Sequence, residues 1–209
     1  AQEVVNAARK FLGTNKSAVS IVLPKSMEGV SQTKETKTHS ATKISEHNGT
    51  VKYQIDNGST LLINQNKNND IIAISVIAKI PGEGPLTAAT MLKGTKKFSA
   101  QELAQILDEN GIIIEPGCSE DYFVINVQTT TAQIDKTMEI LDEIINHSTF
   151  DDYEIEKKRS ELLNKIKQRR DVPMNIALEN FQTIIFENSV YSHSNKILEK
   201  TLPTVQKDD

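Results

Sequence analysis

In QEVVNAARKFL, residues 2–12, the apolar side chains fall at Val4, Val5, Ala8, Phe11 and Leu12. Those intervals of three and four put them on one side of a helix, and Gly13 supplies the stop. The rhythm then changes. SAVSIVL, Ser17 to Leu23, is β-branched and alternating up to Pro24, which predicts a strand. From Pro24 to Thr50 the chain is polar, rich in Ser, Thr, Lys and Glu, with no apolar period. It predicts a linker between two structural units.

A denser pattern begins at Val51. VKYQID, the turn Asp56-Asn57-Gly58 and STLLINQ predict a hairpin, because Asn-Gly accepts the positive φ that a tight hairpin turn demands. IIAISVIAKI, Ile71 to Ile80, is an apolar run long enough for an inner strand. A short helix follows, opened by Pro85 and closed by Gly94. A second starts after Ser99, with Glu102 three residues on to complete a capping box. Asn110-Gly111 ends it, and GIIIEPG and DYFVINVQ predict two more strands.

The remainder reads as helix. TAQIDKTMEILDEIINH carries Ile134, Met138, Leu141 and Ile145 on one face; DDYEIEKKRSELLNKIKQRR comes next, then PMNIALENFQTIIFEN opened by Pro173. Strands followed by helices predict an α+β fold, a largely antiparallel sheet covered on one face by helices. There is no short internal repeat.

Composition narrows the function classes. Of 209 residues, 37% are hydrophobic and 25% charged, with a formal net charge of −4. That balance supports a globular core and speaks against nucleic acid, whose phosphates require a concentrated positive face. The basic stretch Lys157 to Arg170 is interrupted by Glu161 and reads as the wet side of a helix. A single cysteine, Cys118, rules out an internal disulfide. No apolar run reaches membrane-spanning length, so a soluble protein, periplasmic or cytoplasmic, is expected. A start at Ala1 and a polar end, TVQKDD, predict a piece of a longer polypeptide.

The residues that carry chemistry elsewhere have structural explanations here. His39 and His47 lie eight apart in the polar stretch without rigid support, His147 sits at a helix C-terminus where a cation is favoured, and His193 has no nucleophile beside it. Glu120 and Asp121 near Cys118 would raise its thiol pKa, so a reactive nucleophile is not expected. Glu154 with Lys158 and Glu161 with Lys165, four apart on one helix, predict surface pairs. Ile71 to Ile80 has one functional reading, addition of a peptide strand to a sheet edge. No acid/base pair or nucleophile constellation is visible.

Several strings, in order, resemble the pitrilysin/insulinase family of zinc metallopeptidases, to which the mitochondrial processing peptidase also belongs. They are DNGSTLLINQN, MLKGT, SAQELAQILDENGIII, SEDYFVINVQ, ILDEIINHSTFDDYEIEKKR, and the late YSHS and TLPTVQKDD, spanning about Val51 to Asp209. In active members the short helix bears His-x-x-Glu-His, two zinc ligands and the glutamate that activates water. Matched on the shared Gly-Thr, those positions are Pro85, Ala88 and Ala89, and ungapped counting puts the third ligand, a glutamate, at Lys165. None of the four can give a lone pair to a metal at neutral pH. No catalytic, cofactor or metal residue is therefore expected in this chain.

The resemblance implies a fold and a role. Residues 1–24 resemble the final helix and strand of a preceding peptidase-like domain, residues 25–50 are the linker, and residues 51–209 are a domain that lacks the zinc motif and its last helix and strand. It implies two related halves, only one of which commonly keeps zinc. This chain would be the inert half, shaping a chamber for a peptide or unfolded protein, with zinc elsewhere in the full-length bacterial-type protein and the remaining domains of that polypeptide as partners. The other reading is a wholly non-catalytic assembly or peptide-binding scaffold. Residues 2–23 are expected to dock on the sheet where the missing helix and strand would lie, in the same molecule or in a neighbouring one.

Overall fold

The computed structural model describes residues 17–23, 40–66, 68–79, 84–187, 189, 191 and 194–207, the first of these segments by its backbone alone. Its strands are β1 Ser17–Leu23, β2 Ala41–His47, β3 Thr50–Ile55, β4 Thr60–Gln65, β5 Ile71–Ala78, β6 Ile113–Cys118 and β7 Phe123–Thr130. The helices are α1 Gly84–Thr90, α2 Ala100–Glu109, α3 Ile134–His147, α4 Asp152–Arg169, α5 Pro173–Ile185 and α6 Ser194–Thr201. The predicted helix over Gln2–Leu12, the stretch Pro24–His39 and His193 lie outside the described residues.

All seven strands share one sheet, in the order β2-β3-β4-β1-β5-β7-β6. Neighbours run antiparallel except for β1 and β4, whose parallel ladder sets Ala18 beside Thr60 and Ile21 beside Ile63. On its other side β1 is antiparallel to β5, with Val19 beside Val76. Of the segment 2–23 expected to dock on the sheet, the described part, Ser17–Leu23, forms the central strand of this molecule's own sheet.

Two local expectations change. Ala41–His47, read as linker, pairs with β3 from Ala41 beside Ile55 to His47 beside Thr50. The missed signal was Asn48-Gly49, which turns this hairpin with φ of 47° and 77°. Of the run predicted as an inner strand, Ile71–Ala78 is interior but covered on one face only: Ile72 and Ile74 are buried while Ile71 is 51% exposed. With β1 on one side and β7 on the other, its backbone has no free edge, which removes the strand-addition reading for this segment. The sheet edges are β2 and β6.

Alternation explains the layering. Along β7, Phe123, Ile125, Val127 and Thr129 are buried and Asn126 and Gln128 exposed, so one face of the sheet meets the helices and the other meets water. Leu103 of α2 and Ile134, Met138, Leu141 and Ile144 of α3 pack on the covered face. Ile144, rather than Ile145, is the fully buried residue at that end of α3. A second cluster joins Leu86 of α1, Ile155 and Ile166 of α4, and Leu202 and Val205 near the C-terminus.

Candidate functional site

The short helix α1 touches both clusters: Leu86 belongs to the second, and Ala88 packs against the first. Its start is pressed onto β6, since a Cβ built on Gly84 would stand 2.7 Å from the Cβ of Cys118. Thr90, buried at its end, donates its hydroxyl to the Leu86 carbonyl at 2.8 Å, which satisfies a polar group that burial would otherwise penalise. The helix ends at Thr90, ahead of Gly94. Gly94, with φ of 135°, turns the chain four residues later.

That turn is fastened to the junction between α3 and α4. The Gly94 carbonyl accepts from the Thr149 N–H at 3.0 Å and from its hydroxyl at 3.2 Å. The Lys96 N–H donates to the His147 carbonyl at 2.9 Å, and the Ser148 hydroxyl to the Met91 carbonyl at 2.9 Å. Thr95, buried, accepts on its hydroxyl from the N–H groups of Lys97 and Phe98 at 3.2 and 3.0 Å. Sequence reasoning singled out the Gly-Thr pair by resemblance alone and missed Ser148 and Thr149. The only local hint was a Ser-Thr pair between two helices.

Beside this turn lies an open groove of about 320 Å³, lined by Lys93, Lys96, Lys97, Phe98, Asp151 and Glu154 among others. Lysines and carboxylates face it together, so it has no single-sign field to select an ion.

The sequence-predicted positions divide between two helices. Pro85, Ala88 and Ala89 lie half-buried on α1. Lys165 is exposed on α4, while its neighbour Ile166 is buried in the cluster that holds Leu86. The structure thus packs α1 against α4 but leaves Lys165 in solvent. Cys118 is half-buried, and burial first and Glu120 second push its thiol up; a neutral thiol is a poor nucleophile. His47 ends β2, and His147 closes α3. Among the described residues, no three His, Cys, Asp or Glu side chains gather where they could hold a metal ion. No helix there is long and apolar enough to cross a membrane.

Arg159 corrects the reading of Lys157–Arg170 as a wet face. It is buried, donates to the carbonyls of Leu202 and Val205, the latter at 2.8 Å, and to Glu156 Oε1 at 3.1 Å. The signal was present: Ile155, Arg159, Leu162 and Ile166 are spaced by four, three and four, so the cation falls on the apolar stripe. Lys158 donates to Glu161 at 2.6 Å, replacing both expected pairs on α4.

The site thus consists of a one-sided, mostly antiparallel sheet, a short helix pressed on its edge strand β6 and a Gly-Thr turn tied to the next helices. The family model for insulinase (peptidase family M16) matches residues 79–197, more than half of the chain, and the chain belongs to that family. An uncharacterized zinc protease of Bacillus subtilis, YmxG, is 23% identical over 166 residues, 75% of this chain and 41% of the relative. An uncharacterized zinc protease of Rickettsia bellii is 24% identical over 164 residues, 74% and 40%.

Among solved structures, the peptidase M16 inactive domain from Pseudomonas fluorescens superposes with a TM-score of 0.67 at 15% identity, covering 76% of this chain and 41% of that one. The periplasmic protease PqqL of Escherichia coli gives 0.60 at 13% identity, over 83% and 21%. Such likeness establishes the fold. The chain spans about two-fifths of the length of the curated relatives it matches.

Zinc is the metal named for those relatives. The residues at the four positions that the resemblance matches to the zinc motif do not fit it: proline and alanine side chains have no donor atom, and a lysine ammonium offers three protons and no lone pair. Nor does α1 carry a carboxylate that could take a proton from water.

Proposed function

We propose that this chain supplies the non-catalytic half of a zinc peptidase of the insulinase family, a wall of the chamber around a peptide or unfolded protein. Hydrolysis would be carried by zinc bound elsewhere in the full-length protein. One observation carries the reading: α1 keeps its packing against β6, α4 and both apolar clusters, while the side chains at the motif positions are ones that cannot ligate. A helix held by selection for chemistry would need donors; a helix held for shape needs only its contacts. Small apolar side chains at Ala88 and Ala89 suit the second case, because burying them leaves no polar group without a partner.

The test measures zinc content and peptide hydrolysis in the full-length protein and in residues 1–209. The expected result is stoichiometric zinc and chelator-sensitive cleavage in the former, with neither in the latter. A full-length protein that binds no zinc and cleaves nothing would replace this reading with that of an assembly or peptide-binding scaffold. Cleavage by residues 1–209 that survives a chelator would overturn both.

A further inference from the structure

Helix α5 shows the opposite balance from α1. Thirteen residues long, it has no fully buried side chain. Met174, Leu178, Phe181 and Ile185 follow one another at intervals of four, three and four, which aligns them along a single stripe, with Ile184 beside it. Met174 is 74%, Phe181 57% and Ile184 77% exposed. The stripe thus has the pattern of a core-facing helix with no core against it among the described residues. Isolated exposed apolar residues are common, but a contiguous row marks a surface that another surface covers.

We propose that the stripe Met174–Ile185 is the docking face for the rest of the same polypeptide, the portion of the full-length protein beyond these residues. The size of the patch selects a tethered occupant. A helix of this length is about 20 Å long and about 10 Å wide, so one side offers roughly 200 Å². A stable contact between free proteins takes about 800 Å² from each partner. Segments of one polypeptide meet at effective concentrations in the millimolar range, where a far smaller apolar contact suffices. The relatives supply the material, since this chain accounts for only 41% of YmxG. The composition of α5 argues against a lipid surface: Glu179 is its only charged residue, and a helix seated on a bilayer carries Lys and Arg along its polar side. The inference requires only that the full-length protein extends beyond this chain, so it stands whichever half holds zinc.

The experiment places a cysteine at Phe181 (F181C) in the full-length protein and in residues 1–209, and follows alkylation of that peptide by mass spectrometry. Labelling at the rate of a free thiol in residues 1–209, slowed at least tenfold in the full-length protein, is the expected result. Equal rates in both would overturn the proposal. So would slow labelling in residues 1–209 accompanied by elution as a dimer, which would assign the stripe to a second copy. Met174→Lys with Phe181→Lys gives an independent readout. The pair should lower the melting temperature of the full-length protein by about 4 °C or more and leave residues 1–209 unmoved; a drop in both would show that the stripe belongs to this domain's own core.

Discussion

The backbone of Gly84 rests against Cys118 so closely that a methyl group on the glycine would come within 2.7 Å of the cysteine Cβ. No real pair of Cβ atoms tolerates that separation, so α1 can lie this near β6 only with glycine at its first position. Gly84→Ala should cost about 1–3 kcal/mol, the usual range for overpacking a filled site, measured by denaturant unfolding. Cys118→Ala in that background should restore nothing, because the Cβ causing the clash remains.

Gly94 should be as intolerant for a different reason. Its φ of 135° is one that L side chains rarely adopt, and an added Cβ would also meet Thr149 Oγ1 at 3.2 Å. Gly94→Ala is expected to lose about 1–3 kcal/mol. Thr149→Val, which deletes one of the two hydrogen bonds to the Gly94 carbonyl, should lose about 1 kcal/mol. A Gly94→Ala protein as stable as the parent would show that the turn relaxes and does not fix α1.

Arg159 closes the second cluster by holding two carbonyls of the C-terminal segment. Arg159→Met keeps the length and apolar stem but leaves the Leu202 and Val205 carbonyls without their charged donor, and should cost about 3 kcal/mol. The loss should be local first, with protease cutting within residues 196–207 before the rest of the domain. Uniform digestion would place the role of Arg159 elsewhere.

Glu102 makes one contribution sensitive to pH. Hydrogen bonds from the Ser99 backbone N–H first and from its hydroxyl second hold the Glu102 carboxyl below the usual carboxylate range. A carboxylate whose folded pKa is depressed contributes stability that is fully present above its unfolded pKa and is lost as pH falls through the folded value. Glu102→Gln keeps a partner for the cap without the charge. The parent should be the more stable at neutral pH, with the gap closing at acid pH; a gap independent of pH would assign the effect to geometry.

Much of the fold was readable because its signals are short. The Asp56-Asn57-Gly58 turn closes the predicted hairpin with the positive φ on Gly58, at 88°, and not on Asn57, whose Oδ1 accepts from the Ser59 N–H at 2.9 Å. Ser99 and Glu102 form the reciprocal cap, and Pro173 opens α5. Each involves neighbours a few residues apart, whose local energetics differ little between peptide and protein. Of the candidate site, only residue identities were legible: Pro85, Ala88 and Ala89 have side chains without donor atoms in any fold, whereas the ties of Ser148 and Thr149 to Met91 and Gly94 join residues more than fifty positions apart.

What sequence order determined, then, was the local elements, the one-sided covering implied by alternation in β7, and the chemistry missing from Pro85, Ala88 and Ala89. Tertiary structure alone decided that β1 enters the sheet centre beside β4 and β5, that Arg159 finds its partners in the carbonyls of Leu202 and Val205, and that α5 shows its apolar stripe to solvent. The physical reason is range. A cap or turn is settled by atoms within one or two turns of chain, whereas Ala18 meets Thr60 and Arg159 meets Val205 only after the loop between them has closed. Burial depends on what arrives on the far side of that closure, and no stretch of chain encodes its own partner.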